Sequence, residues 1–408
     1  MAEGLISVEE AQRLVLERIY PRSIERVDLL SALGRVLAED VYAAESVPPF
    51  TCSAMDGYAV RASDVASASQ DAPAILSVLE DLPAGKMPTV TLGEGQAVRI
   101  MTGAVLPEGA DAVVVVEVTK AEGKIVKVFE PVKVGQNVRP KGEDVKQGQL
   151  LVARGTRLDA ACIGVLASAR SYLCVYSRPL VAIVPTGDEL VEIDERPATG
   201  QIVNSNSYSL AALVRSSGAI QMIHPIARDN RFDLRSAIEF ALQADMVVST
   251  GGVSVGDYDY VKEVLQEMGA EILFWRVSMK PGKPVVFAML RDKPFFGLPG
   301  NTVSSFLSFL FFVRPAILKA SGCTPPFTLP QIDVILDSDA RSKGDRTTFL
   351  RAKLKLCNQR FYAELMPNQG SGVLSSMLGA HALVVLDKGQ KFLPKGSVAR
   401  ALVIASPF

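Results

Sequence analysis

Apolar and polar positions change rhythm several times along the chain, and each change predicts a different kind of element. Ser7-Val8-Glu9-Glu10 is a capping box that opens an amphipathic helix running to about Tyr20, where Pro21 stops it. A second helix is predicted over roughly Leu29–Leu37. The stretch ESVPPFTCSAMDGYAVR then breaks regular structure with Pro48 and Pro49. From about Ala74 to Val138 the text is strand-like, as in AVRI, DAVVVVEV and IVKVFEPV, with Gly and Pro turns between the runs. This pattern predicts a small β-rich domain inserted between helical pieces. Helical text returns near Asp159–Ala169.

From Leu180 the strands LVAIV, AIQMIHPI, DMVVS, EILFWRV and PVVFAM alternate with the helices YSLAALVRSS, RFDLRSAIEFALQ, DYVKEVLQEMG and VSSFLSFLFFVRPAILK. Such alternation predicts a doubly wound parallel sheet. The most apolar run, Phe306–Val313, is broken by Ser308 and stopped by Arg314 and Pro315. It is too short to cross a bilayer and reads as a buried helix, so no membrane partner is expected. Pro325 and Pro326 make a linker, after which Ile332–Ile404 is strand again and suits a small barrel or sandwich.

The 408 residues exceed one ordinary core, so several domains are expected. A net charge of −1 offers no broad basic surface to nucleic acid. Five scattered cysteines without CxxC spacing argue against a zinc knuckle or a disulfide framework, and a reducing cytoplasm fits. The opening MAEGLISVEEAQ lacks the pattern of a signal peptide. With only His224 and His381, a His-rich zinc site and Ser–His–Asp chemistry are both disfavoured. Chemistry here falls to carboxylates, lysines and backbone.

Ligands of open parallel sheets bind beyond the carboxyl ends of the strands. The loops expected there carry Thr186, Gly187, Asp188 and Glu189; Asp229 and Asn230; Gly251, Gly252, Ser254, Asp257 and Asp259; Lys280 and Lys283; and Pro299, Gly300 and Asn301. Each piece alone has a plain reading: Asp229-Asn230 as a helix cap, Thr250-Gly251-Gly252 as a tight turn, Glu189 and the lysines as solvated charges, the histidines as structural. Together they place glycine, carboxylate and lysine on one edge. Lysines and strand-end amides suit phosphate or another oxyanion. Asp229, Asp257, Asp259 and Glu189 repel an anion unless Mg²⁺ lies between them. A phosphorylated substrate, Mg²⁺ and phosphoryl-bond chemistry are therefore expected.

Seven ordered segments carry a resemblance: SAMDGYAV (Ser53–Val60), RIMTGAVLPEGADAVV (Arg99–Val114), PTGDEL (Pro185–Leu190), TGGVSVGDYD (Thr250–Asp259), KPGKP (Lys280–Pro284), GLPGN (Gly297–Asn301) and GSGVLSSM (Gly370–Met377). They span nearly the whole chain, which resembles the molybdopterin molybdenumtransferases of the bacterial MoeA type, relatives of the gephyrin E domain. The resemblance implies a multidomain α/β protein: a helical elongated domain (1–45 and 145–178), a β-rich inserted domain (46–144), a molybdopterin-binding α/β domain (179–327) and a C-terminal β-barrel (328–408). It implies transfer of molybdenum from molybdate to adenylyl-molybdopterin with Mg²⁺, releasing AMP. It also implies a homodimer whose cleft takes the β-rich domain from the other subunit. A molybdopterin adenylyltransferase would supply the substrate; molybdoenzymes or their chaperones would receive the product.

Carried over by motif, Asp229, Asp257 and Asp259 meet Mg²⁺ and pyrophosphate near Gly251, Gly252 and Ser254. Lys280 and Lys283 face molybdate or pyrophosphate; Arg346, Arg351 and Ser371 complete an oxyanion pocket; Asp56, Thr102 and Glu189 line the cleft. Thr186, Gly187, Asp188, Pro299, Gly300 and Asn301 contact substrate. Three positions depart from the family pattern: Thr302 stands where many relatives have Pro, Asp257 where relatives carry Glu, and His381 where relatives often have Asn. Competing readings are a molybdopterin adenylyltransferase, which shares a TGG loop but needs no outer domains, and a gephyrin-like scaffold, which this chain lacks the long linker to be. A nicotinamide oxidoreductase would show GxGxxG after the first strand at Leu180, and none is present.

Overall fold

The computed structural model describes residues 5–168, 173–252 and 260–406. They form two compact units, one of 40–154 with 160–168, the other of 5–39, 155–159 and 173–406. The N-terminal helix α1 (Val8–Glu17) starts as expected, with Ser7 Oγ accepting from Glu10 N at 3.1 Å. The helix predicted over Leu29–Leu37 does not form. Asp28 caps a single turn by accepting from Ser31 N, and Gly34 at φ 74° turns the chain away. Val36 and Leu37 then enter bridges with Arg157 and Val175.

The β-rich unit is a six-stranded sheet of β1 (Gly57–Val60), β2 (Ala74–Leu82), β3 (Gln96–Ile100), β4 (Ala112–Val115), β5 (Thr119–Glu122) and β6 (Ile125–Val128), in the order β4-β1-β3-β2-β6-β5. Its strands alternate between two buried faces: Tyr58, Val60, Ala97 and Val114 pack on one, Ala59, Val98 and Val113 on the other. Helix α2 (Ala160–Ser168) belongs to the same unit.

The other unit is built on β7 (Leu180–Pro185), β8 (Ile220–Ile223), β9 (Met246–Thr250), β10 (Glu271–Arg276), β11 (Pro284–Leu290) and β12 (Lys293–Leu298), in the order β8-β7-β9-β12-β11-β10. Helices α3 (Ser205–Ser216), α4 (Arg231–Ala241), α5 (Tyr260–Glu267) and α6 (Thr302–Ala320) cover both faces. Residues of α1, α3 and α6 bury Val181, Ile183 and Val248, while those of α4 and α5 bury Ala182, Val184 and Val247. The sheet is not wholly parallel: β11 runs antiparallel to both neighbours. Arg291 and Asp292, at φ 49° and 62°, join β11 to β12, and a two-residue connection permits only a hairpin. This reversal returns the Lys280–Lys283 segment to the edge where β7, β9 and β12 end.

Helix α6 is continuous through the expected stop at Arg314 and Pro315. Pro315 has no N–H to give the Phe311 carbonyl four residues back; Phe309–Val313 opens into a π turn, and Gln12 Nε2 donates to Phe311 O at 3.0 Å instead. The helix is long and apolar enough to cross a membrane by length and composition, but 78% of it is buried inside the protein, as a core helix would be.

Five strands, β13 (Gln331–Leu336), β14 (Thr347–Cys357), β15 (Arg360–Leu365), β16 (Ala382–Leu386) and β17 (Val398–Val403), close into a barrel because β14 pairs with both β15 and β16. Its interior holds Val334, Leu350, Ala363, Val384 and Ala401. Outside it, Phe349 packs on Phe311 with ring centroids 4.5 Å apart, and Met279-Lys280 pairs with Thr347-Thr348. Barrel and α/β sheet thus share one core.

Candidate active site

β7, β9 and β12 deliver Thr186, Thr250 and Pro299 to a common edge. Thr186 N donates to Thr250 O at 3.0 Å, and Gly251 N to Leu298 O at 3.1 Å. The backbone there is too close for side chains. Gly251 sits at φ 103°, and a Cβ on it would lie 2.4 Å from Thr186 O. Gly300 adds no methyl beside it: its own Cβ position is 3.8 Å from Gly251 Cα. A bare backbone floor results, of the kind that approaches phosphate closely.

This floor belongs to a chamber of about 440 Å³, bounded also by Glu189, Asp229, Asn301 and the start of α3. Asp229 and Asp188 hold each other's loops: Asp229 N donates to Asp188 Oδ1 at 3.1 Å, and Asp188 N to Asp229 Oδ2 at 3.3 Å. Asn230, next in sequence, is the N-cap of α4 and accepts from Asp233 N at 2.9 Å. Thr186, Gly187, Gly252 and Pro299 line the same chamber.

A second chamber, of about 800 Å³, adjoins the first, with Pro284 and Asn301 in both walls. Its charged groups are mostly cations, Lys280, Lys283, Arg341 and Arg346 against the single carboxylate of Asp339, which lies 3.3 Å from Arg341 Nη2; Ser371 also lines it. Lys280 and Lys283 are half-buried and neither forms a salt bridge among the described residues. Arg346 Nε donates to Asp345 Oδ2 at 3.0 Å. The barrel's Gly370-Ser371 loop docks on α6, where Ser371 O accepts from Val303 N at 2.9 Å. The charged groups of the first chamber are therefore carboxylates, and in the second cations outnumber the one carboxylate.

Three expectations stand differently. Arg351 is not a wall of either chamber: it is wholly buried, donating to Ser376 Oγ at 3.1 Å, Asn368 O at 3.0 Å and Gly370 O at 3.1 Å. Its position on β14 points the guanidinium under the loop that carries Ser371, and burial lowers its pKa. Asp56 and Thr102 lie in the β-rich unit, where Asp56 Oδ1 accepts from both Thr102 N and Thr102 Oγ1 at 2.7 Å. Those two bonds hold its carboxyl below the usual carboxylate range. Ser254, Asp257 and Asp259 lie outside the described residues, among which no group of three metal-ligating side chains occurs.

The histidines are structural. His224 Nδ1 lies 2.7 Å from Pro225 O, and His381 Nδ1 accepts from Leu354 N at 3.1 Å. Sequence reasoning missed Asn204 and Asn206, both lining the first chamber. Asn204, 1% exposed, caps α3 by accepting from Ser207 N at 3.3 Å. The signal was present as VNSNS ahead of a helix, a run of capping residues.

Along the chain, family models match in order: the MoeA N-terminal region (domain I and II) over residues 6–169, a probable molybdopterin binding domain over 182–319, and the MoeA C-terminal region (domain IV) over 333–404. A molybdopterin molybdenumtransferase from Nostoc is 40% identical over 378 residues, covering 91% of this chain and 87% of the relative. One from Bacillus subtilis is 34% identical over 405 residues, covering 98% and 94%. The chain belongs to the molybdopterin molybdenumtransferase family. The crystal structure of a molybdopterin biosynthesis MoeA protein from Pyrococcus horikoshii superposes at a TM-score of 0.84 with 30% identity, covering 98% of this chain and 100% of that one. In this molybdenumtransferase-family chain, Lys280 and Lys283 fall in the molybdopterin-binding segment, and Arg346 and Ser371 in the MoeA C-terminal segment.

Proposed function

We infer that the chain is a molybdopterin molybdenumtransferase, a transferase of molybdenum cofactor biosynthesis. The observation that carries this is the pair of adjoining chambers of opposite character, on a chain matched to named molybdenumtransferases over nearly its full length. A molybdopterin adenylyltransferase is not favoured, because the matched relatives include the outer domains that such an enzyme does not need.

Adenylyl-molybdopterin would lay its pyrophosphate on the Gly251–Gly300 floor, and molybdate would occupy the second chamber. Lys280, Lys283 and Arg346 offset the dianion there, each charge-assisted hydrogen bond contributing roughly 1.5–3 kcal/mol. Ser371 adds a neutral contact. Asn301 stands where the two anions meet. The charged donors lining the first chamber are carboxylates, Asp229 and Glu189; Asp257 and Asp259, assigned to Mg²⁺ by motif, lie outside the described residues. That set suits Mg²⁺, which takes one or two carboxylates and fills its shell with phosphate oxygens. Mg²⁺ held by these carboxylates would supply Lewis-acid polarisation of the phosphoryl group for AMP release.

The active form would be a homodimer, in which the partner subunit's β-rich domain brings Asp56 and Thr102 to the cleft. An adenylyltransferase upstream and molybdoenzymes or their chaperones downstream complete the route. The test is one turnover with adenylyl-molybdopterin, molybdate and Mg²⁺, following AMP. Release by the native chain and none by Asp259→Asn, with melting unchanged, is expected. Adenylyl-molybdopterin formed from molybdopterin and ATP alone would instead make the chain an adenylyltransferase.

A further inference from the structure

We propose that Asn206 is a positioning residue that locks the floor of the first chamber for the phosphate groups of the substrate. The inference rests on the reading of that floor given above. One amide nitrogen makes both bonds: Asn206 Nδ2 donates to Thr250 Oγ1 at 2.9 Å and to Gly300 O at 2.8 Å. Thr250 Oγ1 passes its own proton on to Pro299 O at 3.4 Å. Asn206 Oδ1 has no partner among the described residues, so the amide is oriented by its two donor bonds alone. The Gly300 carbonyl is an acceptor, so it selects the nitrogen and prevents the flipped rotamer.

The side chain ties a helix start to the ends of two neighbouring strands. Asn206 is in the first turn of α3, Thr250 ends β9, and Gly300 follows β12. Glycines at 251, 252 and 300 leave the floor without side chains that could interdigitate to stiffen it. Two of the three, Gly251 and Gly252, adopt positive φ, which glycine takes without strain and with little to hold it in one conformation. The start of α3 is itself fixed: Asn204 caps it, and Asn204 N donates to Val191 O at 2.9 Å. A capped helix end thus reaches the turns at Thr250 and Gly300 through one side chain. Because the second chamber shares only Pro284 and Asn301 with the first, loosening the floor leaves the Lys280–Lys283 wall in place.

The experiment is calorimetric binding of inorganic pyrophosphate with Mg²⁺, and separately of molybdate, to the native chain and to Asn206→Leu, a neutral side chain of similar shape with no donor. Expected is pyrophosphate binding weaker by about tenfold or more, from loss of two hydrogen bonds. Molybdate affinity should stay within about twofold, and melting within a few degrees. Thr250→Val, which removes one acceptor without changing shape, should weaken pyrophosphate by a smaller factor. The double variant should be no worse than Asn206→Leu by that full factor, since both act through one bond. If Asn206→Leu does not fold, Thr250→Val alone decides: unchanged pyrophosphate binding overturns the proposal. Equal pyrophosphate binding by native chain and Asn206→Leu, or equal loss of both ligands, overturns it too. A native chain that binds no pyrophosphate overturns the reading of the chamber, and the clamp falls with it.

Discussion

Gly251→Ala and Gly300→Ala separate the folding role of the floor from its binding role. At Gly251 the new methyl would lie 2.4 Å from the Thr186 carbonyl oxygen and 2.7 Å from Thr186 Oγ1, inside the 3.0 Å that real Cβ atoms keep. The nearer contact is backbone already tied to Thr250, so a rotamer change cannot relieve it. The residue is also at φ 103°, where a side chain adds roughly 1–2 kcal/mol of strain. Clash and strain together come to about 3 kcal/mol. For a domain of this size that lowers the melting temperature by roughly 6–12 °C. At Gly300 the nearest atom to a new Cβ is Gly251 Cα at 3.8 Å, an ordinary contact, and φ is not positive. Gly300→Ala should therefore melt within about 2 °C of the native chain. Its methyl would nevertheless stand on the floor, so pyrophosphate affinity and AMP release should both fall by about tenfold or more. Scanning calorimetry and the single-turnover assay read the two effects. A Gly251→Ala chain that melts like the native one, or a Gly300→Ala chain that loses as much stability as Gly251→Ala, would refute the reasoning.

Lys283→Ala should raise the molybdate concentration needed for turnover by about tenfold while leaving pyrophosphate binding within twofold, read by calorimetry of each ligand. Arg351→Met should destabilise by roughly 2–4 kcal/mol, because it strands the Asn368 and Gly370 carbonyls beneath the Ser371 loop; native-like melting would remove that role. Asp56 should titrate below the ordinary carboxylate value by carboxyl-carbon NMR, and Thr102→Val should move it upward. Since the folded pKa is the lowered one, any stability from this pair is present above the unfolded pKa and is lost as pH falls through the folded one. Assayed at a molybdate concentration too low for Lys283→Ala to turn over, Asp56→Ala and Lys283→Ala chains should recover about a quarter of native turnover when unfolded and refolded together; no recovery would argue against a cleft shared between subunits.

Local rules carried much of the fold. The Ser7 cap, the strand and helix alternation after Leu180 and the strand text after Ile332 each depend on residues close in sequence. Errors came where a distant partner decided. Pro315 normally ends a helix, but Gln12, three hundred residues away along the chain, supplies the missing donor. Leu29–Leu37 had helical spacing, yet Gly34 and pairing with Arg157 and Val175 drew it into bridges. The β11 reversal was legible after all, since PVVFAMLRDKPFFGL leaves two residues for a turn. At the site, residue type indicated chemistry but not depth. Arg346 and Arg351 stand five apart in one motif, but Arg346 precedes β14 on the chamber wall and Arg351 lies within it, buried under the loop.

The separation of charge between the chambers bears on why one chain carries both the sheet and the barrel. Two anions sharing a single basic pocket would compete for the same lysines, and each would weaken the other's binding. On the proposed assignment, pyrophosphate would lie on bare backbone beside oxygen ligands, which need no lysine. The lysines would then be left for the second anion, on a loop that the antiparallel β11 folds back to the same edge. The barrel then supplies Arg346 and closes the far side, its Ser371 loop held from below by Arg351 and from the side by Val303. It follows that Arg351→Met, though far from either floor by contact, should lower molybdate affinity more than pyrophosphate affinity. Equal losses for the two ligands would mean that the loop serves the fold alone.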